Sequence, residues 1–187
     1  KMRMGGSALS QVLKTNDTEC PKVESITSFK DFFDIIQELI KEKKILAYHD
    51  RSDGGLISTI CEQCFSGHVG IDIELNQDFE KMNNFMFNEE LGVVIQVKNE
   101  LLKEVLGRFS NKQINSNIIG KLNKSYELKI VNNGELFFKD SIENLHKIWH
   151  RTSYEIQRIR DNKVTSEEEY NSIGLRENKG LYISKKY

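Results

Sequence analysis

Between Phe29 and Leu75 the apolar residues change their spacing three times, and that succession leaves few architectures open. Phe29, Phe32, Phe33, Ile36, Leu39 and Ile40 recur at helical intervals and form a predicted core face. Ser28 stands at its head as the predicted N-cap, with Asp31 three residues on. Ile45-Leu46-Ala47-Tyr48 is too short for another helix and reads as a buried strand. Leu56, Ile60, Cys64 and Phe65 restore a helical face, which Gly67 ends. Val69, Ile71, Ile73 and Leu75 then alternate with Gly70, Asp72 and Glu74, the period of a half-buried strand. Helices and strands mix without strict alternation, so the predicted class is α+β: a mixed β-sheet covered by helices.

The rest of the chain extends that pattern. Phe79 to Phe87 reads as a short helix, Val93 to Val97 as a strand, Leu101 to Phe109 as a helix and Ile118 to Gly120 as a strand. Asn132-Asn133-Gly134 separates two strand-like runs and is a strong hairpin signal. A long helix is predicted over Ser141 to Asp161, with Leu145, Ile148, Trp149, Ile156 and Ile159 as its apolar positions. Upstream, Gly5-Gly6-Ser7 precedes a short helix, and a polar stretch around Asn16 to Glu24 holds Pro21, the only proline. From Lys163 the sequence turns polar and Glu-rich, then basic. The expected organisation is therefore one domain over residues 1–162 and a linker over 163–187. The opening at Lys1 reads as that of a fragment.

Charge narrows the function. Lys and Arg number 27 against 28 Asp and Glu, a formal charge of -1 that argues against a nucleic-acid or membrane-surface binder. No apolar run approaches the roughly 20 residues that span a bilayer. Cys20, Cys61 and Cys64 are an odd set without a secretion signal, so free thiols in the cytoplasm are expected.

The segment with chemistry in it is Ala47-Tyr48-His49-Asp50-Arg51-Ser52-Asp53-Gly54-Gly55-Leu56. A strand empties into a polar loop, with glycines at the mouth of the next helix. Helix N-termini carry unpaired N–H groups and partial positive charge, which favour anions. Gly54 and Gly55 would let a phosphate approach the backbone, and Ser52 can donate to a phosphate oxygen. Asp50 and Asp53 repel a bare phosphate but suit Mg²⁺, which takes one or two carboxylates together with nucleotide phosphates. The structural alternative keeps Asp53 as the N-cap, Gly-Gly as a tight turn and His49 as a half-buried strand residue with satisfied ring nitrogens.

These residues also resemble a known family. Tyr48 to Leu56 looks like the signature of the second C-terminal-type domain of large phosphoribosylformylglycinamidine synthases, within the aminoimidazole ribonucleotide synthetase-related superfamily. Met4-Gly5-Gly6-Ser7-Ala8-Leu9 is similar to that domain's opening. Cys61-Glu62, Phe65 to Ile73, and Phe87-Asn88-Glu89-Glu90-Leu91-Gly92-Val93 resemble further blocks in the same order, as do Trp149, Thr152-Ser153-Tyr154, Gln157 and Arg160-Asp161-Asn162. The stretch Asn111 to Lys124 does not align.

The resemblance implies an ATP-dependent carbon–nitrogen ligase of the glutamine amidotransferase type, acting in de novo purine biosynthesis. Formylglycinamide ribonucleotide, glutamine and ATP would give formylglycinamidine ribonucleotide, ADP, phosphate and glutamate. It also implies Asp50 as a Mg²⁺ ligand and Ser52 as a nucleotide (ATP or ADP) contact, with Asp53, Gly54 and Gly55 shaping the pocket. N-terminal-type synthetase domains and a glutaminase domain of the parent chain would be the partners, and the fragment alone would be inactive. The alternatives are another synthetase of the superfamily, or a non-catalytic nucleotide-binding or assembly module.

Other constellations read as structural. Cys61-Glu62-Gln63-Cys64 lacks a second ligand pair for zinc. His146 and His150 are expected on a solvated helix face. Glu89-Glu90 should point opposite ways and pair with an Arg or Lys.

Overall fold

The structure is a computed structural model that describes residues 1–177. The chain divides into two compact units. One combines Lys1–Gln63 with Gln77–Ile119, and the other combines Cys64–Asn76 with the chain from Gly120 onward.

The first unit begins with a short helix α1 (Ala8–Leu13), whose N-cap Ser7 accepts the Ser10 N–H at 3.2 Å. Helix α2 (Ile26–Lys41) is capped by Ser25, three residues before the predicted cap. Ser28 lies inside the first turn and donates its N–H to the Ser25 hydroxyl. Both serines are chemically able to cap; the chain leaves extended geometry at Ser25, and that decides it. The buried stripe shifts accordingly. Ile35, Ile36 and Leu39 pack with Val105 and Phe109, while Phe32 is partly buried and Phe29 and Phe33 are exposed. The predicted Phe29-Phe32-Phe33 core is thus reduced to its middle member.

Strand β1 (Ile45–Asp50) pairs antiparallel with β3 (Val93–Val97), in the register His49 to Val94 and Asp50 to Val93. Pairing carries the strand two residues beyond its predicted end, through His49 and Asp50. Its residues alternate between half-buried and exposed, so β1 is not the buried strand expected. Between these strands come helix α3 (Gly55–Gly67), a 3-10 turn (Phe79–Lys81) and α4 (Met82–Phe87). A second 3-10 turn (Asn99–Leu101) leads into α5 (Leu102–Asn111).

The second unit is built on a four-stranded mixed sheet of order β4-β2-β5-β6. Strand β2 (Gly70–Leu75) runs parallel to β5 (Glu127–Asn132) and antiparallel to β4 (Gly120–Asn123). Ile71 lies beside Leu128 and Ile73 beside Ile130, so all four share one buried face. Strand β4 starts where the predicted strand ends; Ile118 is exposed outside it. Strand β6 (Glu135–Ser141) follows the turn at Asn133-Gly134, where both residues have positive φ, as a type I′ hairpin requires.

Helix α6 (Ile142–Arg160) starts at Ser141, whose hydroxyl accepts the Asn144 N–H at 3.1 Å. It buries Ile142 and Tyr154, whereas Ile148, Trp149, Ile156 and Ile159 are exposed. Most of the predicted apolar face therefore lies outside this fold's core. Lys163–Ser172 forms a further helix, α7, capped by Asn162. Its Tyr170 ring stacks on Tyr154 at 4.1 Å between centroids, and the Tyr170 hydroxyl donates to the Lys147 carbonyl. Among the described residues, no helix is long and apolar enough to cross a membrane.

Candidate functional site

The loop from Arg51 to Gly54 joins the end of β1 to the start of α3, and the segment Phe87–Gly92 holds it from one side. Arg51 donates its backbone N–H to the Gly92 carbonyl at 2.8 Å. Its guanidinium donates to the carbonyls of Glu90 at 2.6 Å and Leu91 at 3.2 Å. Thr59, buried in the first turns of α3, donates to the Gly55 carbonyl and, at 3.3 Å, to that of Asp50. Strand end and helix start are thus fixed to each other by a residue that sequence reasoning passed over.

Gly54 and Gly55 both have positive φ, at 81° and 71°. An L side chain rarely adopts that region. A Cβ on Gly55 would stand 2.6 to 2.8 Å from backbone atoms of Phe87 and Asn88. The two glycines therefore make the turn and allow the Phe87–Asn88 backbone to lie against it. Gly55 donates its N–H to the Ser52 carbonyl at 2.9 Å, closing the turn.

The adjacent acids separate as the strand period predicts. Glu90 is 7% exposed and forms a two-pronged ion pair with the equally buried Arg3, at 2.6 and 2.7 Å. That contact lowers the Glu90 pKa and raises that of Arg3. Glu89 turns to the loop and accepts the Gly54 N–H at 2.9 Å and the Ala8 N–H at 2.8 Å.

The outward face of the loop carries the polar candidates. Asp50, Ser52 and Asp53 are all exposed. Asp50 accepts a hydrogen bond from the Tyr48 hydroxyl through Oδ1. Burial and the neighbouring carboxylate push the Tyr48 pKa up to about 12, so the phenol stays a donor. Among the described residues, neither the Ser52 hydroxyl nor the Asp53 carboxylate is engaged. The N-cap alternative for Asp53 is therefore not what the loop adopts. His49 does follow the structural reading: Nδ1 faces the Asp50 carbonyl at 2.7 Å and Nε2 the Glu62 carboxylate at 2.6 Å.

Asp50, Ser52, Gly54 and Gly55 are thus brought into one short turn at a helix mouth. A first-turn helix offers N–H groups to an anion, and Asp50 keeps one carboxylate oxygen outside its bond to Tyr48. One carboxylate completed by phosphates and water is a normal Mg²⁺ environment, so the donor set fits that ion as a partial shell. Among the described residues no three His, Cys, Asp or Glu side chains gather as a metal cluster. Two open hollows lie elsewhere. One of about 500 Å³ is lined by Lys1, Arg3, Asp17, Glu19 and Asn84. Another of about 310 Å³ lies among His150, Ile156, Arg160 and Glu169. Neither includes the loop, and it is the chemistry of its donors that makes the loop a candidate.

Cys61 and Cys64 are buried thiols outside any disulfide, and burial raises the Cys64 pKa to about 11. His146 departs from expectation. Its ring stacks face to face on Phe65 at 4.4 Å, and burial lowers its pKa. The shared aromatic face, invisible in helical spacing alone, is the reason.

Residues 2–132 match the family model described as AIR synthase related protein, C-terminal domain. The phosphoribosylformylglycinamidine synthase of Schizosaccharomyces pombe is 39% identical over 185 residues, which are 97% of this chain and 14% of that enzyme. The chain thus spans 14% of that relative's length. Among solved structures, Thermotoga maritima PurL complexed with ATP aligns over 62% of this chain and 21% of its own, at TM-score 0.57 and 13% identity. The same protein complexed with ADP aligns over 66% and 22%, at 0.59 and 13%. A HypE–HypF complex aligns over 74% and 48%, at 0.51 and 17%. These structural likenesses bear on the fold.

Proposed function

We propose, starting from the fact that the chain belongs to the AIR synthase related C-terminal domain family, that it is the nucleotide-holding half of a synthetase unit in a phosphoribosylformylglycinamidine synthase. The observation that carries this reading is the turn from Asp50 to Gly55 at the mouth of α3, in which Asp50, Ser52 and Asp53 are exposed while Gly55 is buried. The 39% identity to the fission-yeast enzyme supports the particular synthase over other members of the family.

In this reading Asp50 would hold Mg²⁺. Ser52 donates to a phosphate or ribose oxygen of ATP or ADP, and Asp53, Gly54 and Gly55 shape the approach. The ion, when bound, neutralises phosphate charge, the main demand of phosphoryl transfer. The chain's own contribution is positional. Thr59 and Arg51 fix the loop ends, and the glycines let the turn close against Ser58 and the Phe87–Asn88 backbone. No residue of the chain is assigned to bond making or breaking. Formylglycinamide ribonucleotide would be activated between this domain and an N-terminal-type partner, so the chain alone would not turn over. Residues 163–187 would lead towards a glutaminase domain that supplies ammonia, and the enzyme would work in the cytoplasm.

Calorimetry with Mg-ADP tests the assignment. Binding that is lost in Asp50→Ala and weakened in Ser52→Ala is expected. Tight binding unchanged by both substitutions would refute it.

A further inference from the structure

Two acids stand side by side ahead of β3, and only one is used in the buried ion pair. Glu90 is committed to Arg3, whose guanidinium it grips with both oxygens. Glu89 is left to face the loop, and a single atom of it, Oε1, accepts two backbone N–H groups. One belongs to Gly54 at 2.9 Å, the other to Ala8 at 2.8 Å, the first residue of α1. We propose that Glu89 is a positioning residue for the nucleotide loop, setting its affinity by fixing the Gly54 peptide against the start of α1. This rests on the reading of Asp50–Gly55 as the nucleotide site.

The need for such an anchor comes from the glycines. Gly54 and Gly55 reach their positive φ values without the steric confinement that a side chain would impose, so the turn has low intrinsic stiffness. The Gly54 N–H is the handle on the Asp53–Gly54 peptide plane. Holding it inward directs the Asp53 carbonyl outward and sets the angle at which α3 begins. The Gly55 N–H is already taken by the Ser52 carbonyl. The next N–H groups, at the opening of α3, are those a phosphate would meet, and their direction follows from the Gly54 plane. A carboxylate suits the task because bonds to an ionised acceptor are stronger than neutral ones. The Ala8 bond gives that carboxylate a second fixed point, 46 positions upstream of Gly54, in a turn where Ser7 is fully buried.

The test uses the full-length protein that carries this chain, with Mg-ADP as probe. Glu89→Ala and Glu89→Asp, the latter one methylene too short to reach both N–H groups, should each raise the dissociation constant about tenfold. Glu89→Gln keeps an acceptor oxygen at the same reach and should restore affinity to within about threefold. Hydrogen exchange supplies a readout that a general loss of stability would not move. Peptides containing Gly54 and Ala8 should exchange faster together in the Ala and Asp variants, while those containing Leu39 keep their rate. Wild-type affinity in Glu89→Ala, or a Glu89→Gln variant as weak as Ala, overturns the proposal. If Glu89→Ala does not fold, the Asp and Gln pair decides alone. Should Asp50→Ala leave Mg-ADP binding intact, the site reading fails. Unchanged exchange at Gly54 and Ala8 in Glu89→Asp would then separately refute the anchor.

Discussion

Gly55→Ala and Gly107→Ala should shift stability in opposite directions within the same unit. At Gly55 the added methyl meets two penalties. Its φ of 71° disfavours a Cβ by about 1–2 kcal/mol. The Cβ also falls 2.6 Å from the Phe87 carbonyl carbon and 2.8 Å from the Asn88 oxygen, backbone atoms that cannot rotate away. Overpacking of that kind costs about 1–3 kcal/mol, so the sum is about 3 kcal/mol. At Gly107, inside α5, nothing lies within 4 Å of the added methyl. There alanine improves helix propensity by about 0.5–1 kcal/mol. With a urea slope of about 2 kcal/mol/M, the midpoint should fall by about 1.5 M in the first variant and rise by about 0.4 M in the second. Far-UV circular dichroism across a urea series measures both. A Gly55→Ala midpoint within about 0.3 M of the parent would show that the turn is not as constrained as the geometry demands.

Three further outcomes follow from the same contacts. Glu90→Gln should lower the melting temperature at neutral pH by about 5 °C. Because Arg3 holds the folded Glu90 pKa below its ordinary 4.5, that stabilisation is present above 4.5 and is lost as pH falls through the folded value. The gap between parent and variant must therefore close in acid, and a constant gap contradicts it. Iodoacetamide at pH 8 should add one label, at exposed Cys20, because Cys61 and Cys64 are buried and the Cys64 pKa lies near 11; rapid native labelling at Cys64 is the contrary result. Tyr48→Phe should weaken Mg-ADP binding about threefold by freeing the Asp50 carboxylate, and unchanged calorimetry would remove Tyr48 from the site.

What could be read from residues alone was whatever local chemistry decides. α6 begins at Ser141 as expected, Asn133-Gly134 takes the left-handed turn, and Leu56, Ile60, Cys64 and Phe65 are buried on α3 as their spacing requires. Readings failed where a distant partner decides. β1 reaches Asp50 because Val93 lies opposite, a pairing between residues 43 apart in sequence. Phe29 and Phe33 satisfy helical spacing as well as Ile35 does, yet α5 lies against the Ile35–Leu39 side. Within the candidate site, Asp50 to Gly55 were legible because polar residues and glycines cluster there. The anchoring roles of Arg51, Thr59 and Glu89 were not, since their partners are backbone atoms that a sequence does not display.

Helix α7 has a mechanical consequence for the residues that follow it. The Tyr154 and Tyr170 rings stitch it to α6, the Tyr126 hydroxyl grips the Gly174 carbonyl at 2.8 Å, and Arg176 reaches the Lys124 carbonyl at 2.8 Å. A stretch whose composition suggests slack string behaves instead as a short splint. Inserting one residue into it would swing everything downstream by about 100° around the helix axis or tear out one of the stitches. Adding seven, close to two whole turns, would nearly restore the original heading while lengthening the splint by about 10 Å.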